Sequence, residues 1–126
     1  MSEVIMTINV RTFEAQCLES RNSKVVMIPF CAEATGEYFC GKTIENGVDT
    51  QITTKNGFSL SARYMLEGTD SSGKKCRVFI ENNGSSLDTC SPAIYTDSDD
   101  LAFLEEAELS ANIRCVENGV IVQILM

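Results

Sequence analysis

Tight-turn dipeptides recur along this chain at intervals that fit short β-strands. Asn-Gly occurs at Asn46-Gly47, Asn56-Gly57, Asn83-Gly84 and Asn118-Gly119, and it suits the positive φ angles of tight hairpin turns. The runs between these turns are rich in β-branched and aromatic residues, which favour strands. The pattern predicts strands over 3–18, 24–31, 36–45, 48–54, 58–68, 74–83, 107–117 and 119–125.

Two segments depart from plain strand alternation. The apolar parity of the first predicted strand changes near Arg11-Thr12, so we expect a bulge or a break there. Before Leu101 and Leu104 the chain is acidic, and Asp97 or Ser98 can cap a helix start. This second segment predicts one or two helical turns over a barrel end or a sheet face.

The length of 126 residues suits one domain, 1–126, that buries a core without covalent staples. Eight or so short antiparallel strands in such a domain indicate a barrel or a sandwich. A barrel removes exposed strand edges. We therefore predict an all-β fold, a small closed antiparallel β-barrel of about eight strands with one short helix near the C-terminus.

The charge of the chain bears on its partners and its location. Its net charge is −8, from 18 acidic and 10 basic residues, and such a surface repels phosphate backbones and anionic lipids. We therefore expect neither nucleic acid nor membrane partners. The first residues lack the basic and apolar regions of a signal peptide, and no apolar run is long enough for a membrane helix, so we expect a cytoplasmic protein.

The residue types present also limit metal and cofactor chemistry. The chain has no histidine, and its six cysteines form no Cys-x-x-Cys pair. A zinc site would need thiolates from scattered strands, and a triad with a histidine base is impossible. We expect reduced cysteines, no metal site and no cofactor.

Charged and amide side chains interrupt three apolar strand segments. Alternate residues of a strand share a face, so Asp49 shares a face with Gln51, Arg63 with Glu67, and Glu81 with Asn83. A closed sheet could bring these faces together as a polar lining of an enclosed space. The sequence thus predicts a polar pocket, with Asp49, Arg63 and Glu81 as candidate catalytic residues.

Each candidate has a hypothetical role. Arg63 would hold a carboxylate or enolate oxygen, and Asp49 or Glu81 would move a proton. Gln51 and Asn82 would orient the ligand, and Phe79 would shape the cavity. Tyr64 is also a candidate ligand-binding residue, although its ring fits a core position with the hydroxyl at a rim.

A structural explanation competes with this one for the same residues. Arg63 could be clamped by Asp49 or Glu81 as a buried ion pair that closes the barrel interior. In that case the protein would be a non-catalytic or oligomeric scaffold. Both explanations stay open at the level of the sequence.

Four motifs in chain order resemble a widespread, mainly bacterial family, the domain of unknown function three-two-three-seven. They are Gly47-Val48-Asp49-Thr50-Gln51, Ala62-Arg63-Tyr64, Ile80-Glu81-Asn82-Asn83-Gly84 and Leu101-Ala102-Phe103-Leu104. The resemblance implies a small β-barrel akin to allene oxide cyclase and dirigent proteins. Those proteins hold a hydrophobic small molecule, steer its cyclisation or coupling, and tend to oligomerise.

The family resemblance carries over to the motif positions Asp49, Gln51, Arg63, Tyr64 and Asn82. Phe103 stands where the family usually has tryptophan, and Glu105 where it usually has asparagine, so the ligand of this chain could differ. Our leading hypothesis is a barrel that binds a small organic acid or hydrophobic ligand, as a lyase, isomerase or cyclase or as a simple binder. A homo-oligomer is an open possibility.

Overall fold

The computed structural model describes residues 3–86 and 88–126. Within this part of the chain, ten strands and one 3-10 helix form the fold. The strands are β1 (Val4–Thr12), β2 (Gln16–Glu19), β3 (Ser23–Thr35), β4 (Phe39–Thr43), β5 (Gly47–Thr54), β6 (Gly57–Asp70), β7 (Lys75–Gly84), β8 (Cys90–Thr96), β9 (Ser110–Val116) and β10 (Gly119–Leu125). The 3-10 helix spans Asp99–Glu105, between β8 and β9.

Antiparallel pairing arranges the strands as a ring of eight. From β1 the ring passes through β10, β9, β8 and β7 to β6. Two short strands, β4 and β5, then share the space between β6 and β3, and β3 pairs back with β1. We predicted a closed antiparallel β-barrel of about eight strands with one short helix. The all-β class, the antiparallel ring of eight and the helix are confirmed, and the fold is barrel-like, with β8 and β9 paired only at Cys90 and Ala111.

The predicted break in the first strand is also present. β1 ends at Thr12 and β2 begins at Gln16, and both strands pair with successive parts of β3. Because of the break, two shorter strands, β1 and β2, pair one after the other along the same edge of the long β3. The final hairpin around Asn118-Gly119 forms as predicted, with Val116 paired to Gly119.

One strand, β8, was missed in the sequence because it contains Pro92, which lacks an N–H donor and usually marks an edge or an end of a strand. In the described chain β8 pairs with β7 along its length but with β9 only at Cys90 and Ala111. Most of β8 is therefore hydrogen-bonded to β7 alone, and a strand with one free edge can accommodate the missing N–H of Pro92.

Alternation along the strands sends one set of side chains to a continuous apolar core. On β6 these are Leu60, Tyr64 and Leu66, and the partner strands contribute side chains of the same face. The most completely buried large side chains of the core are Ile5, Met6, Ile8, Phe39, Leu66, Val78, Ile80, Ile94, Leu101, Leu104 and Ile124.

The 3-10 helix contributes to this core at the Asp70 end of β6. Leu101 and Leu104 are buried in the same cluster as the strand residues. Ser98 occupies the N-cap position, but its hydroxyl donates to Asp70 Oδ2 at 2.7 Å and makes no cap hydrogen bond. The segment thus closes one end of the interior, in agreement with the predicted helical turns.

Three further observations limit what the fold contains. All six cysteines are free thiols. The ion pairs of the described residues join side chains that are at least partly exposed, so no internal ion pair is seen in residues 3–86 and 88–126. No helix within those ranges is long and apolar enough to cross a bilayer.

Candidate functional site

Strand β5 directs Asp49 and Gln51 into the barrel. Asp49 pairs with Ala62 of β6, and Gln51 pairs with Leu60. Residues directly opposite each other in a pair of strands share a face, and Leu60 belongs to the buried core. The two polar side chains therefore lie among apolar neighbours on the inner face.

These residues line an interior cavity of about 270 Å³. This volume lies just below the ~300–1,000 Å³ range of pockets for drug-sized ligands, so it suits a small molecule. Cys115 is exposed to solvent and also lines the cavity, which places an opening beside it. The lining consists of Val10, Thr12, Ile28, Phe30, Asp49, Gln51, Leu60, Ala62, Tyr64, Asn82, Ile113, Cys115, Val120 and Val122.

Asp49 is the one formally charged residue among the lining residues that the structure describes. Its Oδ2 accepts a hydrogen bond from Gln51 Nε2 at 2.8 Å, whereas its Oδ1 is buried without a partner in the described chain. Burial raises the pKa of Asp49, and the Gln51 hydrogen bond only partly offsets this effect. A carboxylate with a raised pKa is a better proton acceptor than a solvated one.

Asn82 supplies a second acceptor to the cavity. Only 4% of Asn82 is exposed, and its Oδ1 has no hydrogen-bond partner in the described parts of the chain. A buried polar atom without a partner costs roughly 1–3 kcal/mol. Asn82 and Asp49 thus each present a buried oxygen that a donor group on a ligand would satisfy.

Tyr64 lines the same cavity as Asp49 and Asn82, with its ring packed edge-on against Phe30 at 5.1 Å between centroids. Burial raises the pKa of the Tyr64 phenol, so the hydroxyl stays protonated and can donate. A side chain at Gly47 would meet Tyr64 Cβ at 2.6 Å and Phe30 Cζ at 2.7 Å. The absence of a side chain at Gly47 therefore permits this aromatic pair.

Three predicted site residues do not join this group, since Arg63, Glu81 and Phe79 point outward. Arg63 pairs with Val48 on one side and Glu81 on the other, and its side chain is 67% exposed. Arg63 Nε lies 3.0 Å from Glu81 Oε2 on the outer surface. The expectation that Asp49, Arg63 and Glu81 line one enclosed space is wrong.

Phe79 lies on the same outer face as Arg63. It pairs with Met65 and Tyr95, and the Phe79 and Tyr95 rings are 6.0 Å apart. The prediction that Phe79 shapes the cavity therefore does not hold in this fold. The residues that the structure does bring together from the predicted set are Asp49, Gln51, Tyr64 and Asn82.

Much of the apolar lining was not anticipated. Ile28 and Phe30 come from β3. In this strand consecutive residues are apolar, which indicates that both of its faces are at least partly covered, and this was the only signal in the sequence for them. Ile113 and Cys115 come from β9, and Val120 and Val122 from β10. In each strand these residues alternate with residues that point outward. The alternation therefore predicts that they share the inner face, but it does not indicate that this face borders a cavity.

A second, larger hollow is a shallow groove of about 710 Å³ beside β1 and the β9–β10 turn. It is wider open to solvent, and the buried unpartnered oxygens lie elsewhere. The described residues contain no cluster of three or more Asp, Glu or Cys arranged to hold a metal ion. The interior cavity is therefore the site with the most distinctive chemistry.

Comparison with solved structures supports the fold. A protein of unknown function from Clostridium acetobutylicum superposes with a TM-score of 0.81 and 19% sequence identity, covering 99% of this chain and 97% of that one. A β-barrel-like protein from Acinetobacter baumannii gives a TM-score of 0.78 and 17% identity, with 99% and 94% covered. At these identities the similarity establishes the fold alone.

A fungal protein has the same architecture. A protein described only as an enzyme, from Penicillium herquei, superposes with a TM-score of 0.71 and 14% identity, covering 98% of this chain and 93% of that one. No family model and no curated protein matches the sequence. The structural neighbours therefore place the chain among barrel-like proteins, two of them bacterial.

Proposed function

We propose that this chain binds a small, largely apolar molecule with a hydrogen-bond donor group inside the barrel. The observation that carries the proposal is the pair of buried, unpartnered oxygens, Asp49 Oδ1 and Asn82 Oδ1, in a largely apolar cavity. A hydroxyl or N–H group on the ligand would satisfy either oxygen. Gln51 would hold the Asp49 carboxylate in place through its 2.8 Å hydrogen bond.

The charge of the cavity favours a neutral ligand over an organic acid. The described lining contains one carboxylate and no lysine or arginine, so an anionic group would be desolvated without a compensating cation. The proposed anchor for a carboxylate, Arg63, faces solvent. We therefore prefer a phenol or an alcohol to the carboxylic acids that the sequence alone left open.

Asp49 would also be the reacting group if the protein is an enzyme. Its pKa is raised by burial, which suits a general base that takes the proton of a ligand hydroxyl. Such a step fits an isomerase, lyase or cyclase, and the enzyme from Penicillium herquei has the same fold. Arg63, Glu81 and Phe79 take no part in this proposal because they lie on the outer face.

Other expectations from the sequence remain proposals. They are membership of the family of unknown function three-two-three-seven, a cytoplasmic location, and the absence of nucleic acid partners. The scaffold alternative keeps one supporting observation, a row of apolar side chains on the outer face that includes Met65, Phe79 and Tyr95. Its internal ion pair has no support, since the Arg63–Glu81 pair is external.

Thermal unfolding with matched ligands tests the binding proposal. Small phenols and alcohols should raise the melting temperature, whereas carboxylic acids on the same skeletons should not. Binding at a hundredfold excess over Kd adds about 2.7 kcal/mol to the free energy of unfolding. The increase should shrink in Asp49→Asn, because an amide oxygen is a weaker acceptor than a carboxylate, and it should persist in the surface control Arg63→Met.

Cys115 offers an independent probe of occupancy. A ligand in the cavity should slow alkylation of Cys115 at the opening and leave exposed Cys17, which does not line the cavity, unaffected. Loss of ligand binding in Arg63→Met with retention in Asp49→Asn would contradict the proposed site. A panel of neutral donors that neither stabilises the protein nor protects Cys115 would contradict the binding function itself.

A further inference from the structure

Four apolar side chains form a row across the outer face of the barrel. Met65 pairs with Phe79, Phe79 pairs with Tyr95, and Ile44 N donates to Met65 O, so the row crosses β6, β7 and β8 and continues to the end of β4. Ile44 is 44% exposed, Met65 41% and Tyr95 56%. Solvent-facing apolar residues in direct register mark candidate interaction surfaces.

Charged pairs border this row on both sides. On one side, Arg63 Nε lies 3.0 Å from Glu81 Oε2. On the other side, Arg77 Nε lies 3.1 Å from Glu67 Oε2. Along β6 the outward residues Arg63, Met65 and Glu67 are thus positive, apolar and negative. Their partners on β7 are Glu81, Phe79 and Arg77, which are negative, apolar and positive.

This charge pattern is complementary to itself. Consider a twofold axis that runs parallel to the strands, between β6 and β7, and that brings two outer faces together. Each β6 then faces β7 of the second copy, so Arg63 meets Glu81, Met65 meets Phe79, and Glu67 meets Arg77. Every cation faces an anion, and the apolar residues face each other.

The next strands extend the complementarity. Lys42 of β4 pairs with Glu67, and Asp97 follows β8 and accepts a hydrogen bond from Arg77 N at 2.8 Å. The same axis places Lys42 of one copy opposite Asp97 of the other, and Ile44 opposite Tyr95. An interface with a twofold axis uses one surface patch on both subunits, and this patch meets that requirement.

We propose that a second copy of this chain docks on this face, through the apolar row formed by Ile44, Met65, Phe79 and Tyr95. Phe79 and Met65 form the centre of the interface, and the charged pairs on either side fix its register. Because like charges in opposition are unfavourable, the pattern selects this arrangement over shifted ones. The face is distinct from the interior cavity, so the dimer does not depend on the proposed ligand.

Sedimentation equilibrium of the full chain across micromolar concentrations tests this proposal. The wild type should be a dimer, and Met65→Lys should weaken association by about tenfold or more, because it buries a charge at the centre. Met27→Lys is the matched control, since Met27 is also a strand residue with 41% of its surface exposed. It should leave the dimer unchanged.

A charge swap tests the orientation of the two copies. Arg63→Glu should weaken the dimer, and the double variant Arg63→Glu with Glu81→Arg should restore it, because the two positions face each other across the axis. An axis perpendicular to the strands would place Arg63 opposite Glu67, and the swap would then fail to restore association. A monomeric wild type, equal effects of Met65→Lys and Met27→Lys, or failure of the swap would each overturn the proposal.

Discussion

Two aspartates lie inside this barrel, and their environments differ in one decisive respect. Asp70, at the end of β6, is 7% exposed, and it accepts hydrogen bonds from Ser98 Oγ, Ser72 N and Lys74 N. Asp49, on β5, accepts one hydrogen bond from Gln51, and its second oxygen has no partner in the described chain. One carboxylate is well satisfied by the fold, and the other is not.

The pKa values of these two carboxyls are displaced in opposite directions. The hydrogen bond from Ser98, aided by those of the Ser72 and Lys74 backbone, lowers the pKa of Asp70. Desolvation raises the pKa of Asp49. Displaced pKa values are found both at functional sites and in structural networks, and the missing partner of Asp49 Oδ1 is what separates Asp49 from Asp70. The comparison therefore assigns a structural role to the Asp70 end and leaves the Asp49 end available for chemistry.

The largest expected difference between the two ends concerns apolar packing. Leu104 of the 3-10 helix is 1% exposed at the closed end, whereas Leu60 is 4% exposed and borders the cavity. Leu104→Ala should lower the free energy of unfolding by about 2–5 kcal/mol. Leu60→Ala should have a smaller effect, because a side chain beside a void has fewer contacts to lose.

Chemical denaturation of the two alanine variants measures this difference. If the dependence of the free energy of unfolding on denaturant concentration is unchanged, the shift of the unfolding midpoint gives the loss of stability. Equal losses would mean that the cavity is filled or collapsed in solution. A larger loss for Leu60→Ala would reverse the comparison and remove the distinction between a closed end and an open one.

The Asp70→Asn variant tests whether Asp70 is structural. It should lower the melting temperature at neutral pH, because an amide forms weaker hydrogen bonds with its donors than a carboxylate does. A lowered native pKa contributes stability above the unfolded pKa, near 3.8, and this contribution is lost as the pH falls through the native value. The deficit of the variant should therefore shrink on acidification, as thermal unfolding from pH 7 to pH 3 would reveal.

The Asp49→Asn variant should behave in the opposite way. Because the native pKa of Asp49 is raised, its carboxylate disfavours the folded state at neutral pH, and this effect disappears as the pH falls through the native value toward 3.8. The variant should melt a few degrees higher than the wild type at pH 7, with the gain shrinking in acid. A loss of stability at pH 7 would show that Asp49 is satisfied in solution.

Local features of the fold could be predicted from the sequence, whereas features that depend on how distant strands pair could not. Turn dipeptides and apolar alternation were enough for the all-β class, the break after β1 and the last hairpin, since these signals are local. β8 was missed because Pro92 argues against a strand unless its pairing is known. A pocket was predicted, but most of its apolar lining was not, because alternation identifies an inward face without measuring the space behind it.

The misplacement of Arg63 has a specific geometric cause. Alternation correctly grouped residues within each strand, but the relation between strands depends on the turn that joins them. Thr54 pairs with Gly57, so two residues form the turn between β5 and β6. As a result each odd-numbered residue of β5 pairs with an even-numbered residue of β6, and the two share a face. Any two-residue turn at or next to Asn56-Gly57 gives this parity, so the turn signal could have placed Asp49 on the face of Ala62 and Tyr64 and away from Arg63.

The smallest expected effect on stability, and the most specific one on binding, concerns Tyr64. Tyr64→Phe keeps the ring that packs on Phe30 and removes only the hydroxyl of a residue that lines the cavity together with Asp49 and Asn82. The free energy of unfolding should change by less than about 1 kcal/mol, the usual contribution of one hydrogen bond. If the phenol donates to the bound molecule, ligand affinity should fall by about fivefold to tenfold.

Calorimetric titration of Tyr64→Phe beside Asp49→Asn separates two kinds of contribution at the open end. Asp49 should govern both stability and binding, because burial disfavours its charge and only its Oδ1, the oxygen that Gln51 does not reach, would meet a donor in the complex. Tyr64 should govern binding alone, since its hydroxyl remains neutral in both states. A phenylalanine variant that binds as tightly as the wild type would restrict the polar part of the site to Asp49, Gln51 and Asn82, and Tyr64 would then be a packing partner of Phe30.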